Sequence, residues 1–161
     1  MQQKKILFIC MGNICRSPSA EAIMKKLLSA NDLDASVFVD SAGTIGFHMG
    51  ESPDPRMKKF AANRGYDLDH SARKFNPDSD FDKFDLILTM DNENFKDISA
   101  LDKSKKYSNK IKKVTGYCTN SNIQEVPDPY YGANENFEQV LNILEDACRG
   151  ILNKIRDEIR F

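Results

Sequence analysis

The sequence CMGNICRSP, at positions 10–18, decides the fold because two kinds of secondary structure meet in it. Residues 4–9, KKILFI, form a short apolar run of β-prone residues, which predicts a buried strand. Residues 18–28 predict a helix, since Pro18 suits the first helical position and Glu21 favours the positive end of the helix dipole. A strand, a tight loop and a helix N-terminus in this order form a site for an anion, because unpaired backbone amides and the helix dipole both favour negative charge.

The loop also carries side chains suited to chemistry on a bound phosphate ester. Cys10 opens it, and the backbone amides, the helix end and Arg16 should all favour the thiolate form of this cysteine. The planar guanidinium of Arg16 can bind two phosphate oxygens at once. Gly12 lets the backbone approach those oxygens and can supply a positive φ, whereas Asn13 tolerates left-handed geometry and its amide can brace the loop. The ester phosphorus would then lie over the sulfur of Cys10.

Composition places the chain among ordinary globular proteins. Its 161 residues suffice for one domain, predicted to span residues 1–161, and 40% of them are hydrophobic. A net charge of −1 implies no general surface for nucleic acid or another polyanion. No apolar run approaches the roughly 18 residues of a membrane span, and no targeting segment is visible. We therefore expect a cytoplasmic protein without nucleic-acid or membrane partners, and a monomer, because no apolar patch stands out.

The cysteines carry further information about compartment and cofactors. Cys10, Cys15, Cys118 and Cys148 show no metal-binding spacing, so we predict neither a metal nor another cofactor. Free thiols in a reducing compartment are the favoured interpretation. Cys15 shares the loop with Cys10 and leaves two interpretations open. It is either a packing residue or a resolving thiol that protects an oxidised Cys10 as a reversible disulfide.

Predicted strands alternate with predicted helices along the chain. This alternation indicates a three-layer α/β fold, in which a four-stranded parallel sheet has helices on both faces and the phosphate-binding loop follows the first strand. Ligands of such sheets bind beyond the carboxyl ends of the strands, so the Cys10 loop, the loop 41–50 and the segment that begins at Asp91 should gather at one edge. The predicted strands are residues 4–9, 36–40, 84–90 and 110–115, and the predicted helices are residues 18–28, 53–64 (ended by Gly65), 91–101 and 137–155.

A second motif, PDPYYG at positions 127–132, is typical of an exposed turn. Alone it would indicate only a surface loop with buried tyrosines, just as a cysteine that ends a strand is commonly a small core residue. Together the two motifs resemble those of the low-molecular-weight protein tyrosine phosphatases, the first as that family's phosphate-binding signature and the second as its general-acid loop. Further segments match in order, namely DSAGT at 40–44, DPR at 54–56, HSAR at 70–73, and MD at 90–91 followed by Asn94.

The resemblance covers essentially the whole chain and implies hydrolysis of protein phosphotyrosine, and of aryl phosphate monoesters, through a phosphocysteine intermediate. It implies that Cys10 is the nucleophile, that Arg16 binds the phosphoryl oxygens, and that Asp128 is the acid for the leaving phenol and then the base for water. Inorganic phosphate would be the product. The implied substrate-binding residues are Met11, Gly12, Asn13, Ile14, Cys15, Ser17, Phe47, Tyr130 and Tyr131, and Ser41 and His70 complete a polar network that braces the loop.

Particular roles follow from the same resemblance. Ser17 would hydrogen-bond the sulfur and ease its departure in the second step. Tyr130 and Tyr131 would flank the mouth of the pocket and stack on a phenyl ring, and Phe47 lies in the loop that forms another wall. Many bacterial members carry tryptophan at the position of Phe47, so the peptide preference stays open. His48 receives no role.

Two other functions are compatible with parts of the sequence. A thiol-dependent arsenate reductase could use the same loop, but the later cysteines, Cys118 and Cys148, are thirty residues apart, whereas reductases of this type use a closely spaced pair. A phosphotyrosine-binding module without activity would predict loss of Cys10 or Asp128, and both are present. The sequence therefore favours the phosphatase, whose physiological substrate it does not name.

Overall fold

A four-stranded parallel sheet organises the chain in the computed structural model, which describes residues 2–130 and 133–159. The strand order is β2-β1-β3-β4, and each neighbouring pair is parallel. The three-layer α/β fold predicted from the alternation of strands and helices is confirmed. The strands are β1 (Lys4–Cys10), β2 (Val37–Gly43), β3 (Leu86–Thr89) and β4 (Ile111–Lys113).

The four predicted helices are present, and a short fifth one was missed. Asp80–Lys83 spans a single turn, too short for an apolar stripe to mark it in the sequence. Two 3₁₀ segments, Ser108–Lys110 and Val114–Tyr117, flank β4. The helices are α1 (Arg16–Ala30), α2 (Pro55–Asn63), α3 (Asp80–Lys83), α4 (Asn92–Leu101) and α5 (Asn134–Ile159).

The central strand β1 is buried on both faces, which explains its unbroken apolar sequence. Its alternate side chains enter two separate cores, Ile6 and Phe8 on the side of α1 and α5, and Leu7 and Ile9 on the side of α4. Hydrogen bonds from β2 and β3 hold the strand on both edges. Cys10 therefore sits at the carboxyl end of a strand that is paired on both edges and buried on both faces.

Helix α1 begins two residues earlier than predicted, at Arg16. Pro18 is thus its third residue, where a missing N–H still costs nothing because the first four helical N–H groups have no partner inside the helix. Glu21 falls in the second turn, too far from the helix end for a dipole role. The expectation for Glu21 was therefore wrong, and the structure gives this buried carboxylate other partners.

Strand β2 continues to Gly43, three residues beyond the predicted end, and this extension brings it against the Cys10 loop. Cys10 is in register with Gly43, and a Cβ at Gly43 would lie 2.6 Å from the carbonyl oxygen of Met11. Only glycine allows two backbones to approach this closely. Gly65 ends the second helix as predicted, with φ of +85°. Among the described residues, no helix is long and apolar enough to cross a membrane.

Candidate active site

The loop between β1 and α1 turns through a left-handed residue, and that residue is Asn13, with φ of +59°. The expectation that Gly12 could supply the positive φ is not met, since Gly12 lies outside the left-handed region. A Cβ at Gly12 would lie 3.0 Å from Cδ2 of His48, a tight contact that would require the imidazole to shift by a few tenths of an ångström. The turn of the loop therefore depends on Asn13, whereas Gly12 leaves room for the ring of His48.

The sulfur of Cys10 is buried at the base of this loop and receives polar contacts from within it. Its Sγ lies 3.0 Å from Oγ of Ser17, and the backbone N–H of Asn13 points to it at 3.3 Å. The sulfur can accept from the hydroxyl of Ser17 and from the N–H of Asn13, and both hydrogen bonds are stronger when the sulfur is a thiolate. The surroundings of Cys10 thus suit a negatively charged sulfur.

The side chain of Asn13 is fully buried and uses all of its hydrogen-bonding capacity. Its Nδ2 donates to Oγ of Ser17 at 2.8 Å and to Oγ of Ser41 at 3.0 Å. Its Oδ1 accepts from Nε2 of His70 at 2.7 Å and from the backbone N–H of Arg73 at 2.9 Å. The structure therefore brings together the four residues of the expected polar network, and it adds Arg73.

Glu21, which was not among the predicted site residues, completes this network. Ser41 Oγ donates to Oε1 of Glu21 at 2.6 Å, and Nδ1 of His70 lies 3.2 Å from the same oxygen. Glu21 and His70 also form a cluster with Asp40, the one group of three potential metal ligands found among the described residues. Both carboxylates of this cluster already form ion pairs, Glu21 with Lys25 and Asp40 with Arg73.

Arg16 is only 2% exposed and is anchored by two distant segments, the start of α4 and the segment around Val126. Its Nη1 donates to Oδ2 of Asp91 at 2.6 Å and to the carbonyl oxygen of Val126 at 3.0 Å, while its Nη2 lies 3.6 Å from Oδ2 of Asp128. Burial lowers the pKa of Arg16, but the charges of Cys10, Asp91 and Asp128 outweigh it and raise the pKa above its ordinary value. The guanidinium is a permanent buried cation.

We call residues 126–130 the acid loop. Asp128 keeps a side chain that is 36% exposed, and one of its oxygens accepts a hydrogen bond from the backbone N–H of Tyr130 at 3.0 Å. Asp91, expected at the start of a helix and at the same sheet edge as the Cys10 loop, caps α4 and also holds Arg16. Its second role could not be seen from the sequence, because the partner is 75 residues away.

A cleft opens above the sulfur of Cys10 and unites most of the predicted site. Asn13 and Ser17 support it from below, and Phe47, which is 81% exposed, packs edge-on against His48 at 4.9 Å outside it. Tyr131 lies outside the described residues. The residues that line the cleft are Cys10, Met11, Gly12, Ile14, Cys15, Arg16, His48, Asp128 and Tyr130.

His48 is the lining residue to which the sequence analysis gave no role. Its Nδ1 lies 2.8 Å from Oε2 of Glu51, and its ring lies 6.1 Å from that of Tyr130. Cys15, in contrast, is expected there and is deeply buried. Burial raises the pKa of Cys15 above its ordinary value, and the charges of Asp54, Cys10 and Asp128 raise it further. Cys15 is therefore a neutral thiol beside Cys10.

Comparisons with known proteins identify the family. The family model for low molecular weight phosphotyrosine protein phosphatases matches residues 5–160. The human low molecular weight phosphotyrosine protein phosphatase is 37% identical over 152 residues, which are 94% of this chain and 95% of the human one. A protein tyrosine phosphatase from Entamoeba histolytica, crystallised with Hepes in its active site, superposes with a TM-score of 0.91 at 44% identity, over 97% of this chain and 99% of its own.

A solved structure that is named for a different phosphatase activity also matches this chain. The crystal structure of a Drosophila arginine phosphatase matches with a TM-score of 0.88 at 30% identity, over 94% of this chain and 98% of its own. The fold and the family match together define the class of protein, a phosphotyrosine protein phosphatase. The chain belongs to the low molecular weight phosphotyrosine protein phosphatase family, and it is a protein-tyrosine phosphatase. The resemblance stated from its motifs is confirmed.

Proposed function

We propose that the whole chain acts as one catalytic domain that hydrolyses phosphotyrosine in two displacements at Cys10. The thiolate attacks phosphorus, so that the S–P bond forms as the bond to the phenolic oxygen breaks. Arg16 and the loop amides bind the non-bridging oxygens, whose charge meets donors that are already in place. The observation that carries this proposal is that Cys10, Arg16 and Asp128 line the same cleft.

Asp128 acts in both steps of the proposal. Its carboxylic acid gives a proton to the departing phenolate, and the carboxylate then takes a proton from the water that attacks the phosphocysteine. Inorganic phosphate leaves, and the thiolate of Cys10 is regenerated. Ser17, 3.0 Å from the sulfur, stabilises the thiolate as it departs. Asn13, Ser41 and His70 hold the loop in the geometry that both steps need.

The walls of the cleft favour an aryl ester as substrate. Met11, Ile14 and Tyr130 contribute apolar and aromatic surface to the lining, which suits a phenyl ring better than a guanidinium group. Phe47 extends this surface outside the cleft, where residues that flank a phosphotyrosine in a protein would lie. Each described cysteine is a free thiol, which fits a reducing cytoplasm. The oligomeric state proposed from the sequence is a monomer.

The first experiment is release of p-nitrophenol from p-nitrophenyl phosphate, with EDTA and a thiol reductant present, by the wild-type protein and Cys10→Ser. We expect metal-free turnover by the wild type, no turnover by the variant, and retained binding of phosphate esters by the variant. An active Cys10→Ser protein would contradict the assignment of the nucleophile. A reduced wild-type protein without turnover would instead direct attention to arsenate as substrate and to Cys118 and Cys148.

A second experiment compares kcat/KM for a phosphotyrosine peptide and for a peptide of the same sequence with phosphoarginine in its place. The apolar lining predicts a clear preference for phosphotyrosine. A preference for phosphoarginine would show that this chain shares the named activity of the Drosophila protein, and the assigned role of the aromatic rim would then be wrong.

A further inference from the structure

The acid loop is attached to the rest of the active site at both of its ends. At its start, the carbonyl of Val126 accepts a hydrogen bond from the buried Arg16, as described above. At its end, the carbonyl of Tyr130 accepts one from Nη2 of Arg56, at 2.6 Å. Asp128 lies between these two attachments. Its position in the cleft is therefore held from both sides, and Arg56 does not itself line the cleft.

The other side of Arg56 is joined to the phosphate-binding loop through Asp54. The carboxylate of Asp54 is 7% exposed and receives Nη2 of Arg56 at 3.3 Å and Nε at 3.4 Å. The backbone N–H of Asp54 donates to the carbonyl of Ile14 at 2.8 Å, inside the Cys10 loop. The same carboxylate accepts the backbone N–H groups of Arg56 and Met57, so it also caps α2 and is fixed in place.

A guanidinium group is the side chain that can make this connection. It is planar and presents several donors in a rigid fork, so it can bind the carboxylate of Asp54 and the carbonyl of Tyr130 at once. The ring of Phe137 packs under it, with 4.8 Å between Cζ of Arg56 and the ring centroid. The side chain of Arg56 is thus restrained by Asp54, Tyr130 and Phe137, although its outer surface remains exposed.

We propose that Arg56 is a positioning residue for Asp128: through Asp54 and Tyr130 it couples the acid loop to the phosphate-binding loop. Arg56 touches no reacting atom. It acts by keeping the carboxyl group of Asp128 within hydrogen-bonding distance of the leaving oxygen. This inference rests on the proposed role of Asp128 as general acid. A misplacement of about 1 Å can lower the rate of a catalysed step by up to about a hundredfold.

The test compares two esters whose leaving groups differ in their need for an acid. p-Nitrophenolate departs readily without a proton, whereas phenolate needs one. We expect Arg56→Ala to lower kcat/KM for phenyl phosphate about tenfold or more beyond its effect on p-nitrophenyl phosphate. Arg56→Lys should recover part of this loss, because an ammonium group can donate but cannot bind two acceptors as a fork. Lys59→Ala, exposed on the same helix, is the matched control and should leave both rates unchanged.

Two further measurements separate positioning from a general loss of structure. Competitive inhibition by inorganic phosphate should stay within about twofold of the wild type in Arg56→Ala, because the phosphate-binding loop keeps its own contacts. In an Asp128→Ala background, Arg56→Ala should cause no additional loss for phenyl phosphate, since two residues that act through one group are not additive.

The possible contrary results point to different errors. Equal losses for the two esters in Arg56→Ala, an additive double variant, or a loss of phosphate binding would each overturn the positioning role. If Asp128→Ala itself slows both esters equally, the proposed acid is wrong. A selective Asp128→Ala beside a non-selective Arg56→Ala would refute this inference and leave the proposed function intact.

Discussion

Asn13 allows the sharpest test of how the phosphate-binding loop is held. Asn13→Ala removes four hydrogen bonds of 2.7–3.0 Å from a fully buried side chain. At about 0.5–1.5 kcal/mol for each bond, their loss costs about 2–6 kcal/mol. Alanine also lacks the short polar side chain that makes asparagine tolerant of a φ of +59°, and this difference adds about 1 kcal/mol. The sum, about 3–7 kcal/mol, is a large part of the 5–15 kcal/mol that typically stabilises a domain.

Asn13→Gly separates the two contributions, because glycine loses the same hydrogen bonds but adopts this φ without strain. We expect Asn13→Gly to be about 1 kcal/mol more stable than Asn13→Ala, although both are far less stable than the wild type. The assay is urea unfolding followed by circular dichroism, with the slope m compared among variants. On heating, Asn13→Ala should lower Tm by at least about 6 °C, from about 2–4 °C per kcal/mol in a chain of this size.

Lys105 provides the matched control for this prediction. It is exposed, has φ of +60°, and its side chain takes no part in a buried network. The difference between Lys105→Gly and Lys105→Ala therefore measures the conformational contribution alone. If Asn13→Ala costs less than about 1 kcal/mol, the network does not hold the loop, because the four lost hydrogen bonds alone should cost at least about 2 kcal/mol. If Asn13→Gly is less stable than Asn13→Ala while Lys105→Gly is more stable than Lys105→Ala, backbone strain does not explain the difference at position 13.

Three further predictions concern other parts of the chain. Gly150→Ala should destabilise the protein by about 2 kcal/mol despite the higher helix propensity of alanine, because the new Cβ would lie 2.0 Å from the carbonyl oxygen of Tyr117; unchanged urea unfolding would contradict this. Burial, and then a hydrogen bond to Glu145, raise the pKa of Tyr66 from 10.0 to about 12, so this contact contributes stability below pH 10 that is lost as pH rises through about 12. Tyr66→Phe should make the urea unfolding midpoint depend less on pH between pH 10 and 12. A pH dependence as steep as that of the wild type would count against this prediction. Phe47→Ser should lower kcat/KM for a phosphotyrosine peptide about twofold to twelvefold and leave Tm unchanged, since the ring is 81% exposed; equal rates would remove it from the entrance.

The parts of the site that were predicted correctly are those that one short segment determines. The strand, the loop and the helix around Cys10 follow from residues 4–28, where apolar pattern and turn chemistry agree. The sequence named Gly12 and Asn13 as candidates for the left-handed residue, but it did not predict which of the two adopts that conformation. Glycine adopts either hand freely, and the selection of Asn13 comes from the four partners that its side chain finds in the folded chain.

The missed residues share a different property, which is that their partners are distant in the sequence. Glu21 faces His70 from the opposite side of the network, and a helical pattern gives no sign of such a contact. His48 enters the cleft only because β2 runs on to Gly43 and the following loop folds back over Gly12. Such contacts depend on how the strand ends are arranged, and local propensity does not contain that information.

The burial of Arg16 explains why the site is assembled from so many segments. A cation that is 2% exposed is stable only if other groups replace its lost hydration. Asp91 from the start of α4 and the carbonyl of Val126 from the acid loop supply these groups. Because both use Nη1, Nη2 is left facing the cleft, 3.6 Å from Asp128. The contacts that stabilise the buried charge are thus the same contacts that bring the ends of β1 and β3 and the acid loop together around the sulfur.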